Sequence, residues 1–267
     1  MCGLEIFKQC FGSGQKKSPS PGEEPYRPPA TPPPPPPTLM CFDFDGILAE
    51  GGAVKDVMRT IPTERFFGRD DFSNYFEDPK VVQGENEVKL HKAIDSLTLV
   101  SGMRELIEVM SKKGARLIVI SDNLDIVIER FLENQGLRPY FHKVYSHKAK
   151  FNLRDVLEIK PSVAVNRKCK THFEMNKNWA VENERSDRGR TVALMGAGKN
   201  NVSLYREWAR DTHETGLIEG DLACVRNGSG LFEHFRTNAK DRQAVCATFF
   251  RWTSGLEILQ EMENRGF

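Results

Sequence analysis

The chain has 267 residues, with 38 Lys and Arg against 37 Asp and Glu, for a formal net charge of +1. So even a balance gives no field of one sign and excludes nucleic acid or a membrane surface as the main partner. No apolar run approaches the ~20 residues that span a bilayer, and the N-terminus lacks the continuous apolar stretch of a secretory signal.

Residues 1–38 read as a tail. Cys2, Leu4, Ile6, Phe7, Cys10 and Phe11 stand beside Lys8, Lys16 and Lys17. Acylation of Cys2 or Cys10, with the lysines on anionic lipid, would give weak membrane association. Cys2 follows the initiator methionine where N-myristoylation needs glycine, which excludes that modification. Pro25 to Pro37, with every position from 32 to 37 proline, has the composition of a polyproline II spacer; a ligand for SH3 or WW modules is the secondary reading.

At Leu39 the chain changes character. Leu39 to Phe42 is an apolar run leading into Asp43-Phe44-Asp45-Gly46, which predicts a buried parallel strand with two carboxylates at its C-terminal end. Open α/β sheets place their ligand crevices there. Alternation puts Asp43 and Asp45 on one side and Phe44 on the other. One carboxylate can then attack a substrate while the other handles a proton. On spacing alone, the pair reads equally as acids that face water or cap the next helix.

Residues 49–100 are polar and aromatic-spotted, as in Arg65-Phe66-Phe67 and Phe72-Ser73-Asn74-Tyr75-Phe76. They predict several short helices, a small cap at 51–100 between the core stretches 39–50 and 101–267, placed to act as a lid or simply to pack. From Gly102 the α/β rhythm is plain. Met103, Leu106, Ile107 and Met110 mark a helix; Leu117 to Ile120 is a buried strand closing on Ser121-Asp122-Asn123; Leu124, Val127, Ile128, Phe131 and Leu132 mark a second helix. Ser121, at a strand tip before a helix N-terminus, suits an anion, or is an ordinary helix cap. A hairpin or strand is expected within 147–160, a helical stretch from Lys168 through Trp179, and a charged turn from Glu182 to Arg190. Buried strands follow at Thr191–Met195 and Leu222–Val225. Ser254 and Glu257 form a capping box for a last helix with Leu256, Leu259 and Met262 inward. The six cysteines, Cys41, Cys169, Cys224 and Cys246 besides the two in the tail, form no CxxC pair, which indicates neither zinc nor a disulfide framework and fits a reducing, cytoplasmic setting.

The order of these parts resembles the haloacid-dehalogenase-like hydrolase superfamily: a DxD strand end, a cap, a strand ending in a hydroxyl, a lysine, then a Gly-rich loop after a later strand. Within it the chain is most similar to the phosphoethanolamine/phosphocholine and pyridoxal-phosphate phosphatase family. The stretches that carry the likeness are Phe42–Asp45, Ser101–Met103, Ile118–Asp122, Gly136–Arg138 with Phe141, Cys169-Lys170, Gly220–Ala223 and Trp252. The resemblance implies an α/β fold, a Rossmann-like parallel sheet with a small helical cap inserted after the first strand. It also implies a small phosphorylated metabolite as substrate. Asp43 would be the nucleophile that forms an aspartyl-phosphate, and Asp45 the acid and base. Ser121 and Lys170, or Lys168 if the register shifts by two, would hold the phosphoryl oxygens. Mg²⁺ would sit on Asp43, the Asp45 carbonyl and Asn201.

Four departures cut against that picture. The family's usual Gly-Asp-Gly-x-Asn-Asp stands here as Gly196-Ala197-Gly198-Lys199-Asn200-Asn201, which lacks both aspartates and adds a positive charge at Lys199. A hard cation prefers anionic oxygen, so the metal site is weakened. Ile47 replaces the threonine that usually follows the DxD pair. Glu50-Gly51-Gly52-Ala53-Val54 replaces the acidic run that reads a substrate ammonium, which leaves Asp122 as one candidate for such a cation. Two readings stay open: a phosphomonoesterase of low activity, and a pseudophosphatase that binds a phospho-ligand or protein without turnover. Glu50, Asp122 and Asp221 are the acids that could replace the lost metal ligand.

Overall fold

The structure, a computed structural model, describes residues 38–51, 53–65, 84–162, 175, 177–185, 190–205 and 217–267. The tail with Cys2, Cys10 and its prolines, the aromatic pieces from Phe66 to Phe76, Lys168, Cys169 and Lys170 lie outside the described residues.

Strands β1 (Leu39–Phe42), β5 (Arg116–Leu124), β6 (Phe141–Phe151), β8 (Val192–Gly196), β9 (Leu222–Arg226) and β10 (Thr248–Trp252) lie parallel. β7 (Leu157–Lys160) joins β6 antiparallel, and β3 (Thr63–Arg65) closes the far edge. The sheet is eight-stranded, in the order β10-β9-β8-β1-β5-β6-β7-β3. The strands after β1 in the chain lie first on its β5 side and then, from β8 onward, on its other side, so its C-terminal end is a topological switch point.

Alternation along β1 feeds two cores. Met40 and Phe42 face one with helices α3 (Met103–Lys112), α4 (Asp125–Asn134) and α9 (Gly255–Asn264). Leu39 and Cys41 face the other with α5 (Lys177–Arg185), α6 (Val202–Tyr205) and α7 (Gly230–Thr237), which α8 (Ala239–Gln243) follows. The apolar residues expected to face inward on α3 and α4 are all buried.

Other expectations shift. β5 continues to Leu124 and α4 begins at Asp125, so Ser121 does not cap it. α5 runs through Arg185 where a turn was expected from Glu182. At α9 the Ser254 hydroxyl accepts from the Leu256 N–H at 3.3 Å, and Glu257 accepts from Thr253 rather than closing back on Ser254. Met262 and Leu259 meet the core as expected, joined by Ile258, while Leu256 is 51% exposed.

The inserted segment leaves and re-enters through one stem, β2 (Ala49–Glu50) paired antiparallel with β4 (Thr98–Leu99). Its helices α1 (Ala53–Met58) and α2 (Glu85–Asp95) share the α3–α4 core through Val54, Leu90, Ala93 and Ile94. It is not wholly helical. Pro62 disfavours helix at Ile61, and β-branched Thr63 opens β3 alongside β7.

Asp155, in the β6–β7 turn at φ 59°, caps α2 from 69 residues away. Its carboxylate accepts from the Asn86 N–H at 2.6 Å and the Glu87 N–H at 3.3 Å, and its carbonyl from the Asn86 side chain at 3.0 Å. Asp155→Ala should destabilise the protein by about 1–2 kcal/mol in urea denaturation, through loss of that cap. Asp155→Gly should cost less, because glycine takes positive φ without strain.

Candidate active site

Asp43 follows the Leu39–Cys41 side of β1 and so faces α5, while Phe44 turns away and meets the Phe131 ring edge-on at 5.3 Å. Asp43 is 7% exposed. Its Oδ1 accepts from the Phe44 N–H at 2.8 Å. Beneath it lies Lys177, at the start of α5 and 5% exposed. The ammonium Nζ is 3.3 Å from Asp43 Oδ2, 3.4 Å from Asp122 Oδ2 and 2.8 Å from Asn201 Oδ1. Burial pushes its pKa down, but Asp43 and Asp122 outweigh that and hold it above the ordinary lysine value, so it is charged.

Asn201 completes the cluster. An ammonium can only donate, so the Asn201 oxygen turns to Lys177, and its Nδ2 donates to Asp43 Oδ2 at 2.5 Å. Gly196 allows this: a Cβ there would stand 3.1 Å from Asn201 Nδ2 and 3.0 Å from the Tyr205 hydroxyl.

Asp45 sits on the loop beyond. Gly46, at φ 74°, turns that loop back, with its N–H on the Ala49 carbonyl at 2.9 Å. Arg226 braces it by donating to the Gly46 carbonyl at 2.8 Å and pairing with Glu50, its guanidinium lying over the Trp252 ring. Asn123 donates to Asp45 Oδ2 at 3.3 Å. Burial pushes the Asp45 carboxyl above its ordinary value and the Asp43 charge adds to this, while Lys55 and the Asn123 amide pull the other way.

These groups meet in a cavity of about 410 Å³ lined by Asp43, Asp45, Ser121 and Asp122, with Lys55 and Met58 from α1. Of the expected site residues, Asp43, Asp45 and Ser121 converge, Asn201 joins them under Asp43, and the two lysines proposed from sequence lie outside the described residues. Lys177 is the ammonium the sequence reading missed. Its signal was the buried face Lys177, Asn178, Ala180, Val181, Glu184, Arg185, a helical stripe too polar to stand out by hydropathy.

The donor set does not fit Mg²⁺. Asp43 Oδ2 is already shared by an amide and an ammonium. Ala197 offers a methyl, and the Gly46 loop packs close enough that a Cβ there would be 3.2 Å from it. Glu50 is paired with Arg226, Asp122 with Lys177 and the Met175 N–H. Asp221 lies at the opposite end of the strands with Arg185 and the Val192 and Ile218 N–H groups. Among the described residues no three His, Cys, Asp or Glu side chains gather as a metal site. Accordingly, 10 mM MgCl₂ should move the wild-type melting temperature by under about 1 °C. The Ala197→Asp/Asn201→Asp variant should gain about 5 °C or more, read by differential scanning fluorimetry.

The family model described as "Putative Phosphatase" matches residues 38–265. Pyridoxal phosphate phosphatase PHOSPHO2 of Rattus norvegicus is 24% identical over 255 residues, covering 84% of this chain and 97% of that protein. Among solved structures, a substrate-bound phosphoserine phosphatase superposes with a TM-score of 0.50 at 15% identity, covering 84% of this chain and 98% of its own. A phospho-aspartyl intermediate analogue of phosphoserine phosphatase gives 0.49 at 15% identity, covering 85% and 99%. The match to the family runs through the sheet, the cavity and the closing helix, and the chain belongs to the Putative Phosphatase family.

Proposed function

We propose that this chain hydrolyses a small phosphomonoester by transferring the phosphoryl group to Asp43. The observation that carries this reading is the convergence of Asp43, Asp45 and Ser121 on one cavity with a buried ammonium under the nucleophile. A carboxylate oxygen of Asp43 forms a bond to phosphorus as the bond from phosphorus to the leaving oxygen breaks, and Asp45 gives that oxygen its proton. Water then attacks the aspartyl-phosphate, Asp45 takes the proton back, and inorganic phosphate leaves with Asp43 restored. The Ser121 hydroxyl and Lys177 meet the charge on the phosphoryl oxygens.

Phosphatases of the haloacid-dehalogenase-like superfamily generally use Mg²⁺, but the donor set of this cavity does not fit one. Ala197 and Asn201 favour a second reading, a site that holds a phospho-ligand without turning it over. The setting we propose is cytoplasmic, on the unpaired cysteine spacing. Among the described residues, no helix is long and apolar enough to cross a membrane. The SH3- or WW-type partner for residues 25–37 and the acylation of Cys2 or Cys10 remain proposals from composition alone.

Phosphate release from a panel of phosphomonoesters, with Mg²⁺ and with EDTA, separates the two readings. Release by the wild type that vanishes in Asp43→Asn supports hydrolysis; no release under either condition, with binding intact, leaves the binding reading. Asp45→Asn should slow release by about 10²–10⁴. As an acid, Asp45 must be protonated. Its raised pKa therefore extends activity upward, and kcat/KM should fall as pH climbs through that value. Lys55→Met removes a charge that favours the ionised carboxyl, so the alkaline limb should move to higher pH.

A further inference from the structure

Lys55 and Met58 stand three residues apart on one face of α1, and both line the cavity that holds Asp45. Lys55 is exposed, and among the described residues no carboxylate pairs with it. Its charge nonetheless acts on Asp45, the group that protonates the leaving oxygen. It therefore stands beside the part of the substrate that departs.

The acids around it are committed elsewhere. Asp43 and Asp122 share Lys177, and Asp122 also accepts from the Met175 N–H at 2.7 Å. Glu50 is turned to Arg226, and Asp45 takes the Asn123 amide. Among the described residues the carboxylates of this cavity each have a partner while Lys55 pairs with none, so the open partner it offers is one for an anion.

We infer that the substrate's leaving portion carries a second anionic group, of carboxylate size, and that Lys55 selects it. This rests on the phosphomonoesterase reading of the same cavity. It sets the substrate class apart from choline and ethanolamine phosphates, whose leaving portions are cationic. No covalent step is added; Lys55 supplies attraction and orientation while Asp45 keeps the proton.

The test uses the full chain and three probes that differ in that charge: 3-phosphoglycerate, glycerol 2-phosphate and phosphocholine. Equilibrium titration gives affinities, and phosphate release gives kcat/KM in parallel. The carboxylated probe should bind about fivefold tighter than the neutral one, and the cationic probe weakest, the size expected for one exposed ion pair. Lys55→Met should compress that order, and Lys55→Glu should reverse it. Equal affinities in the wild type, or an order that survives Lys55→Glu, overturns the inference while hydrolysis leaves the phosphatase reading standing. Neither binding nor hydrolysis of any probe overturns both.

Discussion

One buried ammonium ties this molecule together. Lys177 reaches from the first turn of α5 to Asp43 at the end of β1, Asp122 at the end of β5 and Asn201 beyond β8. Three neighbouring strands thus deliver their loops to a single cation. Removing an ammonium from water costs several kcal/mol, which close opposite charges offset only in good geometry. Without it, Asp43 and Asp122 would face each other uncompensated. The same contact that settles the fold locally also sets the chemistry: two carboxylates share one positive charge, so the cluster is already short of cation before a phosphoryl group arrives.

That shortage gives the altered Gly-rich loop its physical sense. An aspartate at 201 would place a second carboxylate 2.5 Å from Asp43 Oδ2, a repulsive pair unless a further cation stood nearby. Asparagine keeps the size and converts the contact into a donated hydrogen bond. Alanine at 197 lets the Gly46 loop approach where a carboxylate would otherwise project. The two replacements are mutually consistent: each removes a charge that the other would have left unbalanced. What remains is a compact arrangement in which Asp43 takes its donors from within the protein: the Phe44 N–H, the Asn201 amide and the Lys177 ammonium.

Much of this was legible in the sequence, because it is local. The alternation from Leu39 fixes the side that Asp43 faces, and the β5 run to Ser121 does the same one strand away. Both follow from the period of a strand and need no knowledge of neighbours. Lys177 was not legible. It is one of several lysines in a polar stretch, and only the docking of α5 beneath β1 decides which is buried. The helix face that docks carries Lys, Asn, Glu and Arg among its six buried positions, so its period is hidden. β10 was missed for a related reason: it is short and its residues are mixed in burial. The capping of α2 by Asp155 spans 69 residues and leaves no sequence signature.

The inserted segment carries less independence than its composition suggested, and this bears on how the site works. α1 and α2 bury apolar residues in the same core as β1, and the β2–β4 stem and the Asp155 cap hold the two ends of the segment to the sheet. Lys55 is therefore carried on a helix that packs against the core, with its side chain exposed at the cavity. Because its charge works against the burial that raises Asp45, the fit of α1 on the core contributes to how readily Asp45 gives up a proton. A shift of that helix by an ångström or two would change the Coulomb energy between them while leaving every contact of Asp43 in place. Binding of the leaving portion and strength of the acid then both depend on where α1 holds Lys55.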